Sequence, residues 1–125
     1  MSNRSKCFVY ALCLSVICIA NKLKLIKIQN EYVAYFFKCY CNDIVGTIIF
    51  FLYLSFVLSY FRFKFNFKLI HIQLMALVCG IMWEYLTPLY RHDTTSDPWD
   101  ILAYMLGALC FWHIFKGYSL LNNAK

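Results

Sequence analysis

Charged residues are scarce in this chain: Asp, Glu, Lys and Arg make up 14% of its 125 residues, against about 25% in a soluble domain. Hydrophobic residues reach 62% and aromatic residues 20%. A soluble chain of this length has too little interior to hide so much apolar surface. The composition therefore excludes an ordinary soluble domain and predicts a single membrane domain covering residues 1–125.

The short motifs that mark common catalytic and cofactor sites are also missing. The sequence contains no G-x-S-x-G, no H-E-x-x-H, no Walker loop and no haem attachment motif. Most of the seven cysteines lie inside apolar runs, where a thiol behaves as a small hydrophobe. Cys39 and Cys41 alone fall short of the four ligands of a zinc site. The sequence offers no activated nucleophile, so an enzyme is the less favoured interpretation.

The net charge of +6 would suit either nucleic acid or an anionic membrane surface. The basic residues flank long apolar runs, so we expect the lipid bilayer as a partner and no binding of nucleic acid. Seven of the twelve Lys and Arg residues lie on the side of the termini if the chain crosses four times. The positive-inside rule then predicts that both termini are cytoplasmic.

Four apolar runs approach the roughly 20 residues that cross a bilayer as a helix. The predicted spans are about 7–26, 43–61, 69–86 and 98–115. No A-x-A-like cleavage site follows the first run, so we expect it to be retained, with Lys22 and Lys24 snorkelling to the headgroups. Backbone groups in hydrocarbon must be satisfied within the chain, which predicts an all-α, multi-pass transmembrane helical bundle.

The segments outside these spans have less definite patterns. Residues 27–42 mix charged and aromatic residues, which is typical of an interfacial helix or of an early start to the second span. The polar residues 87–96 predict a loop, and residues 117–125 predict a flexible tail. We expect His71 and Gln73 to face the headgroups on the side opposite that loop.

Successive spans alternate in direction, and this places the scattered acids at one membrane face. One acid opens the second span, one closes the third, and two open the fourth: Asp43, Glu84, Asp97 and Asp100. Neighbouring carboxylates repel, so a shared proton or a bound cation is expected. Oxygen ligands suit Mg²⁺ or another hard divalent cation. We therefore predict a metal site formed by these four residues and supported by Arg91, His92 and Tyr104.

Helical spacing supports this arrangement. Two stripes carry the polar residues of the third and fourth spans: Gln73, Leu77, Gly80 and Glu84, and Asp97, Asp100, Tyr104 and Gly107. Gly80 and Gly107 are expected to let these two backbones approach closely. Capping is an alternative role for Asp97, Asp100 and Asp43, and Arg91 with Asp93 also fits a solvated loop pair. Glu84 has no such explanation, because an ionised carboxylate is costly inside a bilayer.

One stretch also has a family resemblance. Its residues are, in order, Glu84, Pro88, Arg91, Thr95-Ser96-Asp97-Pro98-Trp99-Asp100, Tyr104 and Gly107. This order resembles the VanZ-like membrane proteins. It is more similar to a group of short bacterial membrane proteins, common in Bacteroidota, that show a Tyr-Thr-Ala/Ser-Asp-Pro-x-Asp run entering a Tyr-x-x-Gly span. The Asn42-Asp43 pair fits that group too, and the likeness covers roughly residues 30–115.

The resemblance implies a multi-pass protein of the bacterial inner membrane. VanZ-like proteins are associated with low-level glycopeptide resistance, and some short members carry the label "magnesium citrate secondary transporter". Four spans are few for a secondary carrier, so the resemblance leaves room for a homodimer that supplies further helices.

Three functions stay open at this point. The first is a binding or transport-related protein that holds a divalent cation among the four acids. The second is a membrane enzyme acting on a lipid-linked substrate, with Glu84 and Asp100 as catalytic acid and base. The third is a structural or accessory subunit whose acids only cap helices and pair with Arg91.

Overall fold

In the computed structural model, the described residues are 3–23, 27–61, 67–92 and 97–116, and every regular element within them is a helix. These elements are α1 (Asn3–Lys22), α2 (Glu31–Phe36), a π-helix (Phe37–Cys41), α3 (Asn42–Tyr60), α4 (Leu69–Tyr90) and α5 (Pro98–Lys116). Four helical runs are long and apolar enough to cross a membrane: Ser5–Lys22, Glu31–Tyr60, Leu69–Tyr90 and Pro98–Phe115. The prediction of an all-α, multi-pass bundle with about four spans is confirmed.

The first and last elements begin and end close to their predicted limits. Helix α1 begins at Asn3, ahead of the predicted start at residue 7, and α5 begins at Pro98 as predicted. The last residues of the predicted first span, 24–26, lie outside the described residues, as does the predicted tail 117–125.

The second span belongs to a longer helical run than its predicted limits of 43–61. Residues 31–60 are helical without a break, because α2, the π-helix and α3 follow one another directly. Asn30 begins this run: its side-chain oxygen accepts hydrogen bonds from the N–H groups of Tyr32 at 3.0 Å and Val33 at 3.4 Å. Thirty residues of helix span about 45 Å, which approaches the thickness of a bilayer with its headgroups.

The third span is also longer than its sequence indicated, and the predicted loop 87–96 begins too early. Helix α4 continues to Tyr90 with Pro88 inside it. Proline is tolerated in membrane helices when nearby groups satisfy the freed backbone. The Thr87 hydroxyl, next to Pro88, donates to the carbonyl of Trp83, whereas the carbonyl that Pro88 leaves without its helical donor is that of Glu84. Residues 93–96 of the predicted loop, including Asp93, lie outside the described residues.

The spanning helices pack in the spatial order α1, α3, α5, α4. Helix α3 lies between α1 and α5, and α5 lies between α3 and α4. In the described part of the chain, α3 and α4 therefore both pack along α5 and have no extensive contact with each other. This order leaves a groove with α5 as its floor and with α3 and α4 as its walls.

The apolar core is centred on Phe111 near the end of α5. The Phe111 ring lies 5.4 Å from that of Phe51 and 5.2 Å from that of Phe115. Leu52 and Ile72 are fully buried in the same cluster. Ile72 lies near the start of α4 and Phe111 near the end of α5, so this core lies away from the face where α4 ends and α5 begins. We call that latter face the site face.

Candidate functional site

A pocket of about 180 Å³ lies at the site face, in the groove between α3 and α4. Three of its lining residues are acids, and they come from three different helices. The lining consists of Asp43 from α3, Trp83, Glu84, Thr87 and Pro88 from α4, and Asp100 and Tyr104 from α5. The structure therefore brings together three of the four carboxylates predicted as metal ligands, together with Tyr104 from the predicted supporting residues.

Glu84 is the most deeply buried of these acids, with 7% of its surface exposed. Its Oε2 accepts a hydrogen bond from the backbone N–H of Asp97 at 3.1 Å. Its Oε1 accepts a longer hydrogen bond, of 3.4 Å, from the hydroxyl of Tyr104. Asp97 lies immediately before α5, and Tyr104 lies in its second turn. Glu84 therefore joins the end of α4 to the beginning of α5.

Asp97 acts at the start of α5 and is not part of the pocket wall. Its Oδ1 accepts the N–H of Trp99 at 3.0 Å, and its carbonyl accepts the N–H of Asp100 at 3.1 Å. This is the geometry of a helix-capping residue. The contribution of Asp97 to the site is its backbone N–H, which binds Glu84.

Asp43 and Asp100 occupy different backbone settings. Asp100 lies in the first turn of α5, where the positive end of the helix dipole favours a carboxylate. Asp43 cannot cap a second span, because the helix continues without a break for twelve residues before it. The capping alternative considered for Asp43 is therefore wrong, and its position in the pocket has no explanation in helix termination.

The two glycines of the polar stripes have different neighbours from those expected. A Cβ on Gly107 would lie 2.5 Å from the Ile44 carbonyl oxygen and 2.8 Å from Thr47 Cβ, so Gly107 brings α5 close to α3 rather than to α4. A Cβ on Gly80 would lie 2.8 Å from Tyr104 Cδ2. Gly80 thus leaves space for the ring whose hydroxyl reaches Glu84.

The remaining predicted residues lie outside the pocket lining. Arg91 follows the last residue of α4, and its N–H donates to the carbonyl of Thr87 at 2.9 Å. Arg91 and His92 are both exposed. The sequence pattern did not predict Trp83, Thr87 or Pro88 as lining residues. Thr87 and Pro88 lie three and four residues after Glu84 and therefore on the same helical face. This shared face was not recognised because the third span was predicted to end at residue 86.

Gln73 and His71 also have distinct positions. The His71 side chain is exposed, and its Nδ1 accepts the N–H of Lys68 at 3.2 Å, at the start of α4. The Gln73 side chain instead turns toward α5, where its Nε2 donates to the Met105 carbonyl at 3.2 Å. Its buried Oε1 has no hydrogen-bond partner within the described part of the chain. The expectation that Gln73 faces the headgroups is therefore wrong.

Among the described residues, no three His, Cys, Asp or Glu side chains are grouped so that they could hold a metal ion. No family model, no curated protein and no solved structure matches the chain.

Proposed function

We propose that this chain binds a divalent cation, with Mg²⁺ as the first candidate, in the pocket at the site face. The observation that supports this most is that Asp43, Glu84 and Asp100 reach one cavity from three separate membrane-spanning helices. Acids inside membrane segments are costly and are usually paired or functional. A bound cation neutralises their mutual repulsion and gives a reason for their convergence.

The size of the pocket favours a cation that keeps its water. Mg²⁺ dehydrates reluctantly and is commonly bound by one or two carboxylates with several waters. A pocket of about 180 Å³ has room for several waters. In our proposal the three carboxylates hold the ion largely through water.

Pro88 adds a further oxygen to this surface. Proline has no N–H, so it cannot donate to the carbonyl four residues earlier, which is that of Glu84. Pro88 itself lines the pocket. We propose that the Glu84 carbonyl, freed from its usual helical donor, is a candidate acceptor for a water of the ion.

The sequence resemblance agrees with this proposal and supplies its setting. The order from Glu84 to Gly107 supports a relationship to the short VanZ-like bacterial proteins, some of which carry a magnesium transport label. On this basis we propose a location in the bacterial inner membrane. The excess of Lys and Arg on the side of the termini supports cytoplasmic termini, which would put the site face outside the cytoplasm.

Thermal unfolding of the purified protein in detergent tests cation binding directly. A ligand that binds only the folded state adds about 2.7 kcal/mol of stability at one hundred times its dissociation constant. We expect Mg²⁺ at millimolar concentration to raise Tm, with K⁺ at equal ionic strength as the control. Glu84→Gln and Asp100→Asn should abolish the Mg²⁺ response. Glu31→Gln, which removes an exposed acid at the start of α2, should retain it.

Thermal unfolding also gives the result that would contradict cation binding. If Mg²⁺, Mn²⁺ and Ca²⁺ all leave Tm at the K⁺ value, the pocket is not a divalent cation site. If binding is found, reconstitution into liposomes that hold a Mg²⁺-sensitive dye tests the transport-related extension. Entry of Mg²⁺ in the wild type, but not in Glu84→Gln, would support transport.

A structural role is the second candidate, and one observation favours it. Both oxygens of Glu84 already have partners within the protein, the Asp97 N–H and the Tyr104 hydroxyl. In this alternative, Glu84 only joins α4 to α5. It predicts that Glu84→Gln lowers Tm by the same amount with and without Mg²⁺, because a missing interhelical contact does not depend on the ion.

A further inference from the structure

Asn21 lies near the end of α1 and contacts the helical run that carries Asp43. Its Nδ2 donates one hydrogen bond to the Phe37 carbonyl at 2.9 Å and another to Asn42 Oδ1 at 3.0 Å. The side-chain amide has two N–H groups, and this geometry uses both. Asn21 therefore binds the first residue of the π-helix and the residue immediately before Asp43.

The contact made by Asn21 lies at the π-helix, an irregular turn within the helical run. A π-helical segment inside an α-helix has a wider turn with an i→i+5 hydrogen-bond pattern, and it often occurs at functional sites. Here it covers Phe37–Cys41 and ends two residues before Asp43. A side chain that hydrogen-bonds into the backbone ladder is a recognised cause of such local irregularity, and the Phe37 carbonyl is bound in this way by Asn21.

The position of Asp43 depends on the rotation of this part of the helix. One residue rotates an α-helix by about 100°, so replacing the π turn with a regular α turn would change the rotation of Asn42 relative to α2. Helix α3 is held on its other side by the close approach of Gly107 to Ile44. The Asn21 contact and the Gly107 contact therefore restrain the same end of α3 from two neighbouring helices.

We propose that Asn21 is a positioning residue for the pocket: by holding the π turn, it fixes the orientation in which Asp43 enters the site. This inference rests on the proposed cation-binding function. The pocket-lining residues come from α3, α4 and α5. In this proposal α1 also affects the cation affinity of the site, through Asn21. Movement of α1 would then change cation binding through Asp43.

The test compares Asn21→Ala with Asn30→Ala. Asn30 caps the N-terminus of the same helical run, seven residues before Phe37, so its replacement perturbs the run without touching the Phe37 or Asn42 contacts. We expect Asn21→Ala to weaken Mg²⁺ binding about tenfold, as expected for the loss of roughly one to two hydrogen bonds. Asn30→Ala should change the affinity less than twofold, and Asn21→Gln, which keeps the amide donors, should restore most of it.

A deletion provides a second and independent measurement. Removing Cys39 shortens the π turn by one residue and allows a regular α-helix. If Asn21 acts through this turn, the deletion weakens binding by itself, and Asn21→Ala adds little in the deleted chain, because coupled residues are not additive. Full additivity of the two changes would overturn the inference.

The remaining outcomes separate this inference from the proposed function. Equal effects of Asn21→Ala and Asn30→Ala, in a protein that binds Mg²⁺, overturn the positioning role and leave the cation site standing. If the wild type binds no cation, hydrogen exchange at residues 37–43 decides instead. Faster exchange there in Asn21→Ala than in Asn30→Ala supports control of the π turn, and equal exchange overturns it.

Discussion

Gly107→Ala tests the packing that holds the pocket together. The added Cβ would lie 2.5 Å from the Ile44 carbonyl oxygen and 3.2 Å from the Ile44 carbonyl carbon. These are backbone atoms, so the contact is relieved only if α3 and α5 move apart. Overpacking of this kind costs about 1–3 kcal/mol, and the clash with backbone favours the upper part of that range.

A matched control lies in the neighbouring helix. A Cβ on Gly46 would meet nothing within 4 Å, so Gly46→Ala gains only the helix propensity of alanine, about 1 kcal/mol. The same propensity gain applies to Gly107→Ala. The difference between the two variants therefore isolates the clash, and we expect Gly107→Ala to be less stable than Gly46→Ala by about 2–3 kcal/mol.

The measurement is the free energy of unfolding in mixed micelles titrated with SDS, followed by circular dichroism. Gly80→Ala completes the series, because its Cβ would meet the Tyr104 ring at 2.8 Å rather than backbone. We expect it to cost less stability than Gly107→Ala and to weaken Mg²⁺ binding by displacing the ring. If Gly107→Ala proves as stable as Gly46→Ala, the close packing of α3 on α5 is wrong.

Three further predictions concern the core and the polar contacts between α4 and α5. Phe111→Ala should cost about 3–5 kcal/mol in the same unfolding assay, because it empties the centre of the apolar cluster. Gln73→Met should be neutral or stabilising, because it removes a buried oxygen that has no partner in the described part of the chain together with a single bond to Met105. A loss above about 1 kcal/mol would contradict this. Tyr104→Phe should cost less than about 1 kcal/mol, because its hydrogen bond to Glu84 is long at 3.4 Å, and it should keep the Mg²⁺-dependent rise in Tm.

The convergence of the acids at one face could be predicted because it depends only on the alternation of spans. Asp43, Glu84 and Asp100 lie at the appropriate ends of their runs in the sequence, and the pocket lining shows that they meet. No knowledge of helix order was needed for this. The separate position of Asp97 was already one of the alternatives, since Asp-Pro at a helix start is typical of capping.

The helix order itself could not be predicted from hydrophobic patterning. Every span is apolar around most of its surface, because lipid accepts the same residues as the protein core. No amphipathic stripe therefore marks which helices pack together. For this reason Gly107 was expected to face α4, although its close contact is with Ile44 of α3. The third span was predicted to end too early for a related reason. Proline ends many helices of soluble proteins, but Pro88 is tolerated inside a membrane helix.

The arrangement of core and pocket gives these results a common physical basis. Phe111, one of the largest fully buried side chains, lies toward the end of α5, whereas the acids of the pocket lie toward its beginning. Apolar packing at one end fixes α3 and α4 on either side of α5, and the polar end is then free to keep a cavity between them. Substitutions that affect stability and substitutions that affect cation binding should therefore lie at different levels along the helix bundle. Core substitutions should lower the free energy of unfolding in the presence and absence of Mg²⁺ alike, whereas substitutions of the pocket acids should change mainly the difference between the two.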